Sequence, residues 1–112
     1  MKVVIVEPFK KPYVKDIDSS DESLRDIVGG DLEITIPFED MNVALIGNNL
    51  GKVLHLTPNR KIFDKSGELL DILCGTYIIC AAPPDSQDFE SLSDEKLKFY
   101  KDMFEKSEIC IS

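Results

Sequence analysis

Apolar residues in this sequence come in short runs that prolines and glycines interrupt, and this spacing limits the possible folds more than any other feature. The run Val3–Val6 is β-branched throughout and ends just before Pro8, which favours a buried strand over a helix. The longer apolar run Ile72–Ala82 is interrupted at Gly75. Both runs are shorter than the ~20 residues that cross a bilayer. The sequence therefore predicts the strands of a folded domain and no membrane span.

The strand-like segments predict a mostly antiparallel sheet. Apolar and polar residues alternate over Leu32–Ile36, which indicates a strand with one buried face. The segment Gly47–Gly51 separates two apolar runs and indicates a hairpin turn, whereas Gly75 indicates a bend or bulge. Thr57–Arg60 is predicted to be a loop. The predicted strands are Met1–Glu7, Tyr13–Ile17, Leu32–Ile36, Val43–Ile46, Lys52–Leu56, Lys61–Asp64 and the two parts of Leu69–Ala82.

Two helices are predicted from their capping signals. Ser19 and Glu22 have the spacing of a capping box, and Gly29 stands where a helix C-cap is expected. The second helix follows Ser93, and its apolar side carries Leu97, Tyr100, Met103 and Phe104. The expected fold is a single α+β domain over residues 1–112. It consists of a mostly antiparallel sheet of about five to seven strands with two helices packed on it.

The charge of the chain limits the classes of partner. The 112 residues include 21 acidic and 13 basic side chains, which gives a net charge of −8. Nucleic acid is therefore not an expected partner, since a polyanion would be repelled. A basic protein partner is compatible with this charge. The N-terminus has no signal-peptide cleavage pattern, and the cysteines have no C-x-x-C spacing, so a cytoplasmic protein with buried thiols is expected, at Cys74, Cys80 and Cys110.

A catalytic or metal-binding group is difficult to assemble from this sequence. The only histidine, His55, is expected on a strand between two leucines, which leaves too few ligands for a structural zinc site. The carboxylates between Asp16 and Asp26 surround the first helix, whose N-terminus they stabilise without a metal. No spacing places Cys80 beside His55 for thiol catalysis. We therefore expect no cofactor, no metal and no enzymatic activity.

Four residues are the candidate binding residues: Asn59, Arg60, Gly75 and Thr76. An arginine offers a planar fork of donors to a carboxylate or phosphate, and loops held by strands often carry binding groups. Gly75 would allow a ligand or another strand to approach the backbone closely. The alternative is that Arg60 is solvated or paired with Asp64. If Arg60 lies in a surface loop, its replacement should affect binding more than stability.

Several short motifs spread along nearly the whole chain carry a family resemblance. They are Val6-Glu7-Pro8, Ile27-Val28-Gly29-Gly30, Pro37-Phe38, Val43-Ala44-Leu45, Asn59-Arg60, Asp71-Ile72, Gly75-Thr76 and the tail from Tyr100 to Phe104. In these motifs the chain resembles a domain-of-unknown-function family of small proteins from bacteria, phages and other mobile elements. The resemblance implies no activity and no catalytic residue. It implies a context in which small proteins often bind host proteins and inhibit defence components.

The function expected from the sequence is that of a non-enzymatic binding module with a protein partner. A homo-oligomer is also compatible with the sequence. The alternative is a small-molecule binder that holds a phosphorylated or nucleotide-like ligand with Arg60, Asn59 and Thr76. An enzyme is the third possibility.

Overall fold

A computed structural model of the chain describes residues 1–51, 53–106 and 108–110, without the side chain of Cys110. The strands among these residues form a five-stranded and a three-stranded sheet, in which all pairs except β5–β8 are antiparallel. The predicted α+β class, with a mostly antiparallel sheet and two helices, is confirmed. The elements in chain order are β1 (Lys2–Val6), β2 (Tyr13–Asp16), α1 (Asp21–Val28), β3 (Leu32–Thr35), β4 (Val43–Asn48), β5 (Pro58–Phe63), β6 (Leu69–Cys74), β7 (Tyr77–Ala81), α2 (Asp94–Phe104) and β8 (Glu108–Cys110).

The larger sheet has the strand order β2-β1-β7-β4-β3 and carries apolar side chains on both faces. Every residue of β4 is buried, because a central strand with two covered faces has no solvent side. On one face, α1 packs with Leu24 and Val28. On the other face, α2 and the smaller sheet enclose a second core that contains Leu45, Ile79 and Phe104. The sheet therefore lies between two apolar layers.

The smaller sheet has the strand order β6-β5-β8. The strand β8 was not predicted, because three residues are too few for a periodic signal. Its Ile109 is 2% exposed and belongs to the core that contains Phe104. Between β6 and β7, Gly75 has a φ of 83°, a conformation that favours glycine, so the predicted bend is confirmed.

The predicted hairpin of Val43–Ile46 with Lys52–Leu56 is wrong. The partners of β4 are β3 and β7, which satisfy both of its edges. The segment after β4 forms a helical turn, in which Leu54 N donates to Leu50 O at 2.8 Å. His55 has a φ of 54° in this turn and is not on a strand. Lys52 itself lies outside the described residues.

Two further strand predictions need correction. Within the alternating segment Leu32–Ile36, residues Leu32–Thr35 form β3. This strand lies at a sheet edge, and Ile34 and Ile36 are 48% and 38% exposed. Its predicted buried face is therefore only partly covered. The predicted loop Thr57–Arg60 is also wrong, because β5 begins at Pro58 and includes Arg60.

The helix predictions are confirmed except for one cap. Ser20, not Ser19, caps α1, and its side chain accepts from Ser23 N at 3.2 Å. This register is fixed by Asp18, whose Oδ1 accepts from Ser20 N at 2.9 Å. Gly29 ends α1 with a φ of 84°.

The second helix packs as its sequence pattern predicts. Ser93 caps α2, and Leu97, Tyr100 and Phe104 are buried. Met103 is partly buried against the same core. No helix among the described residues is long and apolar enough to span a membrane.

The predicted burial of the cysteines is confirmed for Cys80, which is 0% exposed. Burial raises the pKa of its thiol to about 12, so this side chain stays protonated and unreactive near neutral pH. Cys74 is only half-buried, and the side chain of Cys110 lies outside the described part of the structure.

Candidate functional site

Three of the four candidate residues meet where β5 begins. The amide Nδ2 of Asn59 donates to the carbonyl oxygen of Gly75 at 2.7 Å and to that of Val6 at 3.0 Å. Asn59 Oδ1 accepts from Arg60 Nη1 at 2.7 Å. Thr76 follows Gly75 in the chain and is half-buried, but these hydrogen bonds do not include it. Asn59 thus joins β5, the end of β1 and the bend before β7.

Arg60 is not a solvated loop residue, because it is 7% exposed and its side chain reaches into the molecule. Its Nε donates to the carbonyl oxygen of Phe104 at 3.0 Å, and its Nη2 donates to that of Lys10 at 3.0 Å. Its Nη1 also donates to Asn59 O at 3.1 Å. The alternative pairing with Asp64 is therefore not the role of this guanidinium. Burial lowers the pKa of Arg60, which stays cationic all the same.

The arginine network holds three distant segments together. One guanidinium joins β5 to the last residue of α2 and to the turn between β1 and β2. Hydrogen bonds to a charged group each contribute about 1.5–3 kcal/mol to stability. The described contacts of Arg60 therefore indicate a structural role, in which its side chain connects these three segments. Arg60 does not lie in a surface loop, so the expectation that its replacement affects binding more than stability loses its premise.

The turn that Arg60 holds presents an aromatic side chain to solvent. Phe9 is 90% exposed and has a φ of 61°, a conformation that is rare for a bulky residue and costs about 1–3 kcal/mol. Lys10 N donates to Glu7 O at 3.4 Å, and Lys10 Nζ lies 3.8 Å from Glu7 Oε2. Pro12 is buried at the far end of the turn. We call the segment 8–12 the Phe9 turn.

Sequence reasoning missed Phe9, although a signal was present. Lys10 and Lys11 give the turn the composition of a solvated hairpin tip, and Lys15 lies on the strand that follows it. A phenylalanine between a proline and a lysine in so polar a turn has no core-facing periodicity. An aromatic residue in such a turn indicates a side chain that does not belong to the core.

An open groove of about 440 Å³ lies beside the arginine network. Lys61 and Glu108 line one side of the groove and lie opposite each other in the parallel β5–β8 pair. The groove therefore carries one basic and one acidic side chain there. Arg60 also lines the groove, but its Nε, Nη1 and Nη2 already donate to main-chain oxygens and to Asn59. The remaining lining residues are Pro58, Asn59 and Ile72.

The described residues do not assemble a metal-binding cluster. No group of three or more His, Cys, Asp or Glu side chains among them is placed to hold a metal ion. The one histidine, His55, is exposed in the helical turn after β4. Tyr77 is buried on β7, and burial raises its pKa to about 12, so its phenol remains protonated near neutral pH.

The model of a family described as a domain of unknown function, DUF3846, matches residues 1–105. The chain belongs to this family. The predicted resemblance to an uncharacterised domain family is thus confirmed, and the DUF3846 description assigns no activity. The DUF3846 match includes both helices, the Phe9 turn and the arginine network, and it ends before β8. No curated protein and no solved structure matches the chain.

Proposed function

We propose that this DUF3846 domain is a non-enzymatic protein-binding module and that the Phe9 turn anchors its partner. The observation that carries the proposal is the 90% exposure of Phe9 in a turn with a strained backbone. The buried Arg60 holds this turn through its hydrogen bond to Lys10 O. Backbone strain concentrates at functional positions, because the surrounding structure must sustain its cost. We propose a host protein, such as a defence component, as the class of partner.

The physical case rests on the gain from burying Phe9 and on the low cost of ordering it. A phenylalanine buries about 150–250 Å² in an interface, and aromatic anchors of this kind dominate binding energies. Removing such an area from water contributes several kcal/mol at about 25 cal/mol per Å². The Arg60–Lys10 hydrogen bond and the buried Pro12 fix the turn before a partner arrives. A preorganised anchor loses little further conformational freedom on binding.

The charges around Phe9 suggest the rim of the partner's pocket. Lys10 and Lys11 follow Phe9 in the chain and are exposed, so carboxylates at the rim would complement them. The net charge of −8 acts over a longer range, which salt limits to about 10 Å. This charge favours a partner whose surface is basic outside the acidic rim. We therefore propose a partner with an apolar pocket, an acidic rim and a basic surround.

Replacing Phe9 should weaken binding strongly and leave the fold intact. Asparagine tolerates a positive φ, so Phe9→Asn should melt within a few degrees of wild type or slightly above it. Loss of the aromatic anchor should reduce binding by at least about tenfold. Proteins captured from a bacterial lysate on the immobilised domain are quantified by mass spectrometry and compared between wild type and variant.

The matched control for this experiment is Phe99→Ala, because Phe99 is a second exposed phenylalanine, 56% exposed on α2. Its variant should capture the same proteins as wild type. If Phe9→Asn captures as much protein as wild type, the Phe9 turn is not the contact site. The same conclusion follows if Phe9→Asn and Phe99→Ala lose capture equally.

A small-ligand binder is the second candidate, and the groove beside Asn59 and Arg60 is the observation that favours it. Lys61 on its rim could meet a phosphate, whereas Glu108 would repel one. Native mass spectrometry after mild purification tests this candidate. A nucleotide-sized adduct that Lys61→Ala removes would favour the ligand over the protein partner, and we expect the apo mass alone.

A further inference from the structure

The strand β3 forms an open edge of the larger sheet. It pairs with β4 and with no other strand of the described chain. Asn49 N donates to Asp31 O at 2.8 Å, so residues 31 and 49 form a hydrogen-bonded pair at the end of this ladder. Along an antiparallel ladder, hydrogen-bonded pairs alternate with pairs that are not hydrogen-bonded to each other. The main-chain N–H and C=O groups of Leu32 and Ile34 therefore point away from β4, toward the open edge.

The other edge strands of the described chain carry features that hinder pairing with another strand. Lysines, prolines, short length and blocked N–H groups are the usual protections. On β2, Lys15 is exposed and Pro12 precedes the strand. On β6, Asp71 Oδ1 accepts from Ile72 N at 2.8 Å. β8 has three residues. β3 contains neither lysine nor proline, and its Ile34 is 48% exposed.

The charges along this edge identify the kind of strand that fits it. Residues 31–40 include four carboxylates and no basic side chain. Two of the four have lysine partners, since Lys96 Nζ lies 2.6 Å from Asp40 Oδ2 and Lys65 Nζ lies 3.8 Å from Glu39 Oε1. The ion pairs among the described residues include neither Asp31 nor Glu33, which are exposed.

The alternation of a strand places the acids and the apolar residues on opposite faces. Asp31 and Glu33 share one face, and Leu32 and Ile34 share the other. An added strand would meet both faces at once, so its own sequence should alternate basic and apolar residues. A second copy of β3 is disfavoured, because the pairing would bring like charges opposite each other.

We propose that the open edge of β3 accepts an extended segment of a partner protein, with alternating basic and apolar residues, as a sixth strand of the larger sheet. Main-chain hydrogen bonds to Leu32 and Ile34 supply the attachment, and Asp31 and Glu33 select for lysine or arginine. This surface is distinct from the Phe9 turn, because β2 and β3 are at opposite ends of the sheet order. The two proposals therefore stand or fall separately.

Three synthetic peptides of about seven residues, the length of an ordinary strand, test the proposal. The first alternates Lys and Val, the second alternates Glu and Val, and the third is the Lys–Val peptide with a central proline. Amide chemical shifts of the isotope-labelled protein report the site, and their titration gives Kd. The Lys–Val peptide should shift the amides of Leu32 and Ile34, and each of the other two should bind at least tenfold more weakly.

Two protein variants with the same charge change serve as a matched pair. Glu33→Lys should weaken the Lys–Val peptide at least tenfold, whereas Glu105→Lys, exposed after α2, should change its Kd less than threefold. Equal weakening by both variants, or equal binding of the proline-containing peptide, would show mere attraction of opposite charges and overturn the proposal. Shifts confined to other strands would overturn it too. So would dimerisation of the peptide-free protein through β3, measured by analytical ultracentrifugation and lost in Ile34→Lys.

Discussion

Replacing Phe104 with alanine is expected to remove a large part of the stability of the protein. Phe104 is 0% exposed at the end of α2, and its ring packs edge-on against Phe38 with the centroids 6.2 Å apart. Its core joins side chains of both sheets, among them Leu45 and Ile62. Truncation of a buried phenylalanine costs about 3–5 kcal/mol, a large part of the ~5–15 kcal/mol that stabilises a domain. The cavity would open where the two sheets meet.

Urea unfolding of wild type and Phe104→Ala measures this loss. Phe99→Ala is the control on the same helix, because its side chain is 56% exposed and should change the free energy of unfolding by about 0.5 kcal/mol or less. A folded Phe104→Ala variant with wild-type stability would contradict the packing of α2 on the sheets. It would instead indicate that the apolar face of α2 is available to bind a partner.

Replacing Arg60 with alanine is expected to cost about 3 kcal/mol or more of stability. The change removes donors to Phe104 O, Lys10 O and Asn59 at once and leaves one buried and two part-buried acceptors without these partners; an unsatisfied buried group costs about 1–3 kcal/mol. Arg60→Lys should recover little of this loss, since one ammonium nitrogen cannot reproduce three guanidinium nitrogens. Arg25→Ala, at an exposed position of α1, is the control and should change stability by under ~0.5 kcal/mol.

The same Arg60 variants also test the link to the Phe9 turn. Under conditions where Arg60→Lys remains folded, the turn should lose its fixed position, and trypsin should cut after Lys10 faster than in wild type. Capture of the partner should fall together with this protection. A variant with wild-type stability and unchanged trypsin resistance would show that the guanidinium does not hold the turn.

Local signals in the sequence predicted those elements whose structure is decided locally. Val3–Val6 forms a buried strand because four β-branched residues fit the centre of a sheet, and Ser93 caps α2 because its side chain accepts from Lys96 N at 3.2 Å. Gly75 bends the chain where its φ of 83° demands glycine. Each of these depends on residues within a few positions of one another.

The sequence failed where distant contacts decide the outcome. Pro58 suggested a surface loop, but Arg60 becomes buried through acceptors 44 and 50 residues away in the chain, which no local pattern reveals. Gly47–Gly51 is equally suited to a hairpin or a helical turn, and the choice is made by β3 and β7, which occupy both edges of β4. The candidate residues could be chosen from the sequence by their types, whereas the burial of Arg60 and its main-chain partners could not be predicted.

The strand order of the larger sheet also determines when the chain can begin to fold. β1 lies between β2 and β7, so Val4 pairs with Val14 early but with Ile79 only after most of the chain has been made. At a synthesis rate of about 5–20 residues per second, the apolar β1–β2 hairpin waits for seconds without its second neighbour. During that interval its unpaired edge can associate with other nascent chains. The yield of this protein should therefore depend on the rate of translation, on the temperature and on the chaperones that bind emerging strands.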